Sequence, residues 1–98
     1  MLDGLHPAVL RLIRLAAEGA TAHNRWLGAC GGLASDPVAV PILLGLGVTE
    51  LSVAPAAVPT IKATVRTLRL DDCRKLAERA CAASSAAGVR AIAGEAIA

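Results

Sequence analysis

Aromatic side chains are almost absent from this chain: Trp26 stands alone, with no Phe and no Tyr among 98 residues. That excludes an aromatic-rich core and leaves Leu, Val, Ile and Ala to fill the interior. It also removes the stacking platform on which single-stranded nucleic acids are held. Basic runs are missing too: ten Lys and Arg are dispersed among eight Asp and Glu, for a net charge of +2. With no cluster of cations to track phosphates, the sequence argues against nucleic-acid binding.

Long hydrophobic runs are lacking as well. The most apolar stretch, Val38 to Val48, is flanked by Asp36 and Glu50 and interrupted by Pro41, Gly45 and Gly47. Crossing a bilayer takes about 20 apolar residues, so no membrane insertion is expected. The opening Met1-Leu2-Asp3-Gly4-Leu5-His6 has neither the basic nor the apolar region of a signal peptide. Cysteine is scarce, and its count of three is odd, which fits a reducing compartment. The chain reads as cytoplasmic. Cys73 and Cys81 fall on one helix about 12 Å apart, too far to bond, and read as small apolar core residues.

What is present is one small domain's worth of apolar sequence, 55% hydrophobic and 18% charged. Pro7 reads as the first position of a helix whose Val9, Leu12, Ile13, Ala16 and Ala20 recur at helical spacing, fading near His23-Asn24. Trp26 to Ala29 reads as a short buried strand. Asp36 is a helix cap with Pro37 at the first position, and Pro41 makes that helix's first turn irregular. Leu43, Leu44 and Leu46 form its buried face, Gly47 stops it, and Glu50 to Val53 reads as a second strand. A helix from about Pro59 to Leu68 turns Ile61, Val65 and Leu68 inward and Lys62, Arg66 and Arg69 outward. Asp71 is placed as the cap of another helix, with Leu76, Ala77, Ala80 and Cys81 as its apolar stripe. Ser84-Ser85 and Gly88 read as an interruption before a weak last helix from Val89 to Ile97. The order predicts an α/β fold whose two strands form a right-handed parallel unit. Two parallel strands need cover on both faces and both edges, so the pattern reads as a piece of a larger α/β fold.

One residue stands out for chemistry. Cys30 follows an apolar strand, precedes Gly31-Gly32, and is followed by the Asp36-Pro37 helix start. Functional groups of α/β folds sit at the carboxyl ends of strands in this order. Asp36 is more simply a cap than a chemical group, and His6 marks a helix start rather than a ligand. Glu50 and Ser52, on the second strand, point either into a site or into a core.

His6-Pro7-Ala8-Val9-Leu10-Arg11-Leu12-Ile13, Gly28-Ala29-Cys30-Gly31, Leu33-Ala34, Asp36-Pro37, Leu43-Leu44-Gly45-Leu46-Gly47-Val48 and Glu50-Leu51-Ser52-Val53 together resemble one family. It is Enzyme I of the bacterial sugar phosphotransferase system, the phosphoenolpyruvate–protein phosphotransferase, and the likeness extends to about Ala83. The small residues after Cys30-Gly31 resemble those of fused multiphosphoryl transfer proteins for fructose or N-acetylglucosamine. The resemblance implies that the chain is the terminal portion of a (β/α)8 TIM-type barrel: a helix, strand seven, a helix, strand eight, a helix, then C-terminal helices. Its barrel part is expected over about 1–69 and its helical tail over about 70–98.

The same resemblance implies that Cys30 protonates the enolate of pyruvate after the phosphoryl group of phosphoenolpyruvate (PEP) has left for a protein histidine. A thiol with an ordinary pKa of about 8.5 is mostly protonated at neutral pH and is a competent donor. Gly31 and Gly32 would let substrate approach the backbone. Implied partners are PEP and pyruvate, the phosphocarrier protein HPr and a second copy in a homodimer. Implied too is Mg²⁺, whose carboxylate ligands, like the phosphate-binding arginines, would lie upstream of Met1. Gly32 departs from the family's usual Glu, Ser35 from a common Gly and Thr49 from a common Asp. Neither His6 nor His23 matches the phosphorylated histidine, so the isolated segment is expected to be inactive. Two other readings are a fragment of another PEP-utilising enzyme, of the pyruvate phosphate dikinase or PEP synthase type, and a non-catalytic dimerisation module derived from the barrel.

Overall fold

In a computed structural model, residues 5–23, 28–30, 36–53 and 55–97 are described. The elements run α1 (Pro7–Ala22), β1 (Gly28–Cys30), α2 (Ala39–Leu46), β2 (Glu50–Ser52), a 3-10 turn (Pro55–Ala57), α3 (Val58–Arg66), α4 (Leu70–Ala82) and α5 (Ala86–Ile97). The fold is mostly helical, with a single parallel pair of short strands. This is the order of helices and strands expected from the sequence.

Local chemistry explains most boundaries. Pro7 occupies the first turn of α1, and His6 caps it, its Nδ1 accepting from the Ala8 N–H at 3.1 Å. The Asp36 carbonyl accepts from the N–H groups of Ala39 and Val40, so a helical turn starts there. Pro41 has no N–H to donate to Pro37, which breaks the ladder for one residue and delays regular helix to Ala39. Gly47 ends α2 in the left-handed region, φ 104°, while the Val48 N–H donates to the Leu43 carbonyl at 3.1 Å. That is a Schellman-type stop, which glycine adopts without the clash a Cβ brings.

The structure corrects several expectations, one of them for Val65 of α3, which was expected to turn inward and is 40% exposed. Helix α4 starts at Leu70 with Arg69 at its cap position and no side-chain cap; Asp71 lies inside its first turn, where it and Asp72 meet the positive end of the helix dipole. Ser84-Ser85 separates α4 from α5 as expected, but α5 starts at Ala86 rather than Val89 and includes Gly88, because the Ser85 hydroxyl accepts from the Gly88 N–H at 3.0 Å and caps the helix. On α1 the buried residues are Pro7, Leu10 and Ala17, whereas Leu12 and Ala16, assigned to the core, are exposed. Their helix packs on α2 and α4 along a stripe rotated from the one the apolar periodicity picks out. Gly28 of the first strand, expected to be buried, is exposed; on the second strand Glu50 and Ser52 are exposed and Leu51 is half-buried, since among the described residues each strand has only the other beside it. Trp26 and Leu27, the start of the first expected strand, lie outside the described residues.

The core is made by helices. Leu5, Leu10, Ile42, Leu43 and Val89 are fully buried, packed with Leu46, Leu76, Ala77, Ala80, Cys81 and Ala93. Helix α2 is its centre, and it packs most extensively on α4. Gly45 makes this possible, because a Cβ there would overlap the backbone of Cys73 in α4. Cys73 and Cys81 are buried free thiols, as expected. Among the described residues apolar filling comes from Leu, Val, Ile, Ala and Cys with the buried Pro7 and Pro41, each large side chain contributing about 1.5–3 kcal/mol by burial.

Candidate active-site edge

The two strands determine the geometry of the candidate site. Gly28 pairs with Glu50, Ala29 with Leu51 and Cys30 with Ser52, in parallel. Parallel pairing puts the carboxyl ends of both strands at one edge, and Cys30 and Ser52 are the last residues of β1 and β2. Cys30 therefore belongs to the strand rather than to the loop beyond it, one residue later than the sequence reading placed the strand end. The alternation of a strand turns Glu50 and Ser52 to the same face, and both are exposed. Gly31 and Gly32, the two glycines assigned to substrate, lie outside the described residues.

From Cys30 the chain reaches Asp36, where the next described element begins. Asp36 caps the turn that leads into α2 rather than the helix itself, whose cap position is Val38 and not Asp36 as expected: its Oδ1 accepts from the Val38 N–H at 3.0 Å. Its other carboxylate oxygen accepts from the Arg90 Nη1 at 3.2 Å. Arg90 comes from α5, 54 residues along the chain, and was missed by the sequence reading. The one signal for it was its isolation as the lone cation in the Ala-rich last helix, Ala86 to Ile97.

Other candidates go elsewhere. His6 is spent on capping α1, and Lys62, Arg66 and Arg69 lie on a solvated face as expected. Among the described residues no three His, Cys, Asp or Glu side chains converge as a metal ion would require. No described helix is long and apolar enough to cross a membrane. The buried thiol of Cys73 is pushed up from its ordinary pKa, first by desolvation and then by the Asp72 carboxylate, which keeps it protonated and unreactive.

Comparison with known proteins gives the geometry its context. Residues 1–70 match the family model described as PEP-utilising enzyme, PEP-binding domain. A multiphosphoryl transfer protein of Rhodobacter capsulatus is 53% identical over 90 residues, and one of Xanthomonas campestris is 50% identical over 90. Each alignment covers 92% of this chain and 11% of the relative. A phosphoenolpyruvate-protein phosphotransferase of Mycoplasma genitalium is 42% identical over 86 residues, which is 88% of this chain and 15% of that protein. The chain thus spans a small fraction of the length of these relatives. Through its match to this family model over residues 1–70, the chain belongs to the family of PEP-utilising enzymes.

Proposed function

We propose that the chain forms the end of a (β/α)8 barrel in a phosphoenolpyruvate–protein phosphotransferase, and that Cys30 supplies the proton that turns the enolate into pyruvate. The observation that carries this reading is the position of Cys30 as the last residue of β1, paired with Ser52 at the carboxyl edge of two parallel strands. In a barrel that edge is the catalytic face. The names of the relatives, phosphoenolpyruvate-protein phosphotransferase and multiphosphoryl transfer protein, favour this reading over a pyruvate phosphate dikinase or PEP synthase.

In the proposed step the P–O bond to the enol oxygen of PEP breaks, and the phosphoryl group passes to a histidine nitrogen outside this segment. The enolate left behind takes the Cys30 thiol proton on its CH₂ carbon, and the resulting thiolate recovers a proton from water. In reverse, the thiolate removes that proton from pyruvate. Gly31 and Gly32, next in sequence, are assigned to substrate binding. Mg²⁺ would be held by carboxylates that are not among the residues of this segment, and when bound it would neutralise charge on the phosphoryl oxygens. The phosphorylated histidine hands its group on to HPr at the start of sugar uptake, and the barrel dimerises.

The test is exchange of label between pyruvate and PEP in the full-length protein. Cys30→Ala is expected to slow it about 10²–10⁴-fold, the usual contribution of a positioned acid or base. Exchange at the wild-type rate would overturn the assignment of Cys30.

A further inference from the structure

Glu50 and Ser52 occupy the face of β2 that is turned away from the helices. Leu51, between them, packs against the helical core. With Thr49, just before the strand, it lines a cleft shared with Leu44 of α2 and Ile61 of α3. Side chains of a strand alternate between its two faces, so Glu50 and Ser52 belong to the opposite one. Both are exposed, and so is Gly28, the register partner of Glu50 on β1. Among the described residues the Glu50 carboxylate has no hydrogen-bond or ion-pair partner.

In a (β/α)8 barrel the helices cover the outside of the strands, and the other face turns into a packed interior. Ser52 ends β2 at the carboxyl edge, and Glu50 lies two residues, about 7 Å, deeper. At that depth a carboxylate loses its water, and a charge so buried is strongly destabilising unless it is paired. The described residues do not supply the counter-charge. Every described Lys and Arg sits on a helix or, for Arg69, at a helix cap, and the described strands carry none. The chain matches only 11% and 15% of the length of its relatives, so most of such a protein lies outside this segment. Gly28, beside Glu50 in register, has no side chain and leaves room for a long one to reach across. We infer that Glu50 lies inside the closed barrel and is paired there with an Arg or Lys side chain from a strand outside this segment. The inference rests on the proposed barrel and is independent of the role of Cys30.

The test is a crystal structure of the full-length protein, with calorimetric melting of Glu50→Gln beside it. An Arg or Lys nitrogen from another strand is expected within about 4 Å of a Glu50 carboxylate oxygen. Glu50→Gln leaves that cation buried and uncompensated, so the Tm of the barrel is expected to fall by at least about 5 °C. Glu78→Gln, at an exposed position of α4, is the control and should stay within about 2 °C of wild type. If Glu50→Gln does not fold, the wild-type structure decides by itself whether the pair exists. Glu50 in bulk solvent, on a metal ion or on neutral groups alone overturns the inference, as does a Glu50→Gln that melts with the control. A closed barrel in which Glu50 is unpaired overturns the inference alone. Strands that belong to no barrel overturn the proposed barrel and the inference with it.

Discussion

Gly45 of α2 lies against the backbone of Cys73 in α4 so closely that a Cβ on Gly45 would overlap the Cys73 carbonyl group. The two helices carry the centre of the core, so their spacing is fixed by this one missing side chain. Gly45→Ala brings two opposed effects. Helix propensity favours alanine by about 1 kcal/mol, while overpacking against backbone costs about 1–3 kcal/mol. Backbone cannot swing aside as a side chain does, so a net loss of stability is expected in urea denaturation. Gly19→Ala in α1 and Gly94→Ala in α5 meet nothing within 4 Å and provide the control. Each should gain about 0.5–1 kcal/mol. A stabilised Gly45→Ala would refute the close approach.

Gly47 gives a second, independent prediction at the other end of the same helix. Its φ of 104° is one that L side chains rarely adopt, and an added Cβ would also come within 3.1 Å of the Ala17 Cβ. Gly47→Ala should cost about 1–2 kcal/mol, the penalty for a left-handed residue with a side chain. Gly47→Asn should recover part of that loss, since asparagine tolerates this region better. Equal stabilities of the alanine and asparagine variants would argue against strain at the stop.

Much of this fold is legible in the sequence because its signals are local. Pro7 and Gly47 announce a helix start and a stop through their own backbone chemistry, and the structure uses both in that way, whereas Asp36-Pro37 forms the turn that leads into α2, two residues ahead of the helix itself. The stripe of α4 is legible for the same reason, its Leu76, Ala77, Ala80 and Cys81 lying among charged residues. Helix α1 is misread because it is apolar on more than one side, so periodicity alone does not tell Leu10 in the core from Leu12 at the surface. Gly88 reads as an interruption because glycine disfavours helix interiors, whereas the Ser85 cap three residues earlier takes it into α5. The site divides likewise. Cys30 and Asp36 are visible from their neighbours in sequence, whereas Arg90 reaches Asp36 only through the packing of α5.

Alkaline pH should weaken the fold through Cys73. Its thiol is raised by burial and by Asp72, so the folded chain keeps a proton that the unfolded chain loses above about 8.5. Above that pH the native state binds more protons than the unfolded one, and stability falls as pH rises toward the folded-state pKa. Cys73→Ala lacks the group. The gap in unfolding free energy between wild type and Cys73→Ala should therefore narrow between about pH 8.5 and pH 10. A gap that is flat or widens over that range would contradict the raised thiol. Cys81 is present in both proteins and cancels from the comparison.

The 98-residue chain on its own should associate with copies of itself. Leu12 and Leu15 of α1 are 66% and 62% exposed, and each strand has a single partner among the described residues. An apolar helix face and free strand edges are the two surfaces that drive association of otherwise folded chains. Strand pairing and apolar burial both act at micromolar concentration, so light scattering is expected to give a mass well above 9.9 kDa. Leu12→Glu/Leu15→Glu removes the apolar face and leaves the fully buried Leu10 untouched. It should lower the scattering mass with little change in helicity by circular dichroism. If association persists in that variant, the strand edges carry it, and a Lys in place of the exposed Ser52 should then reduce it, as charges on natural edge strands do. A wild-type chain that is monodisperse at 9.9 kDa and melts cooperatively would show that the helical core alone is sufficient, with no further protein needed to cover the strands.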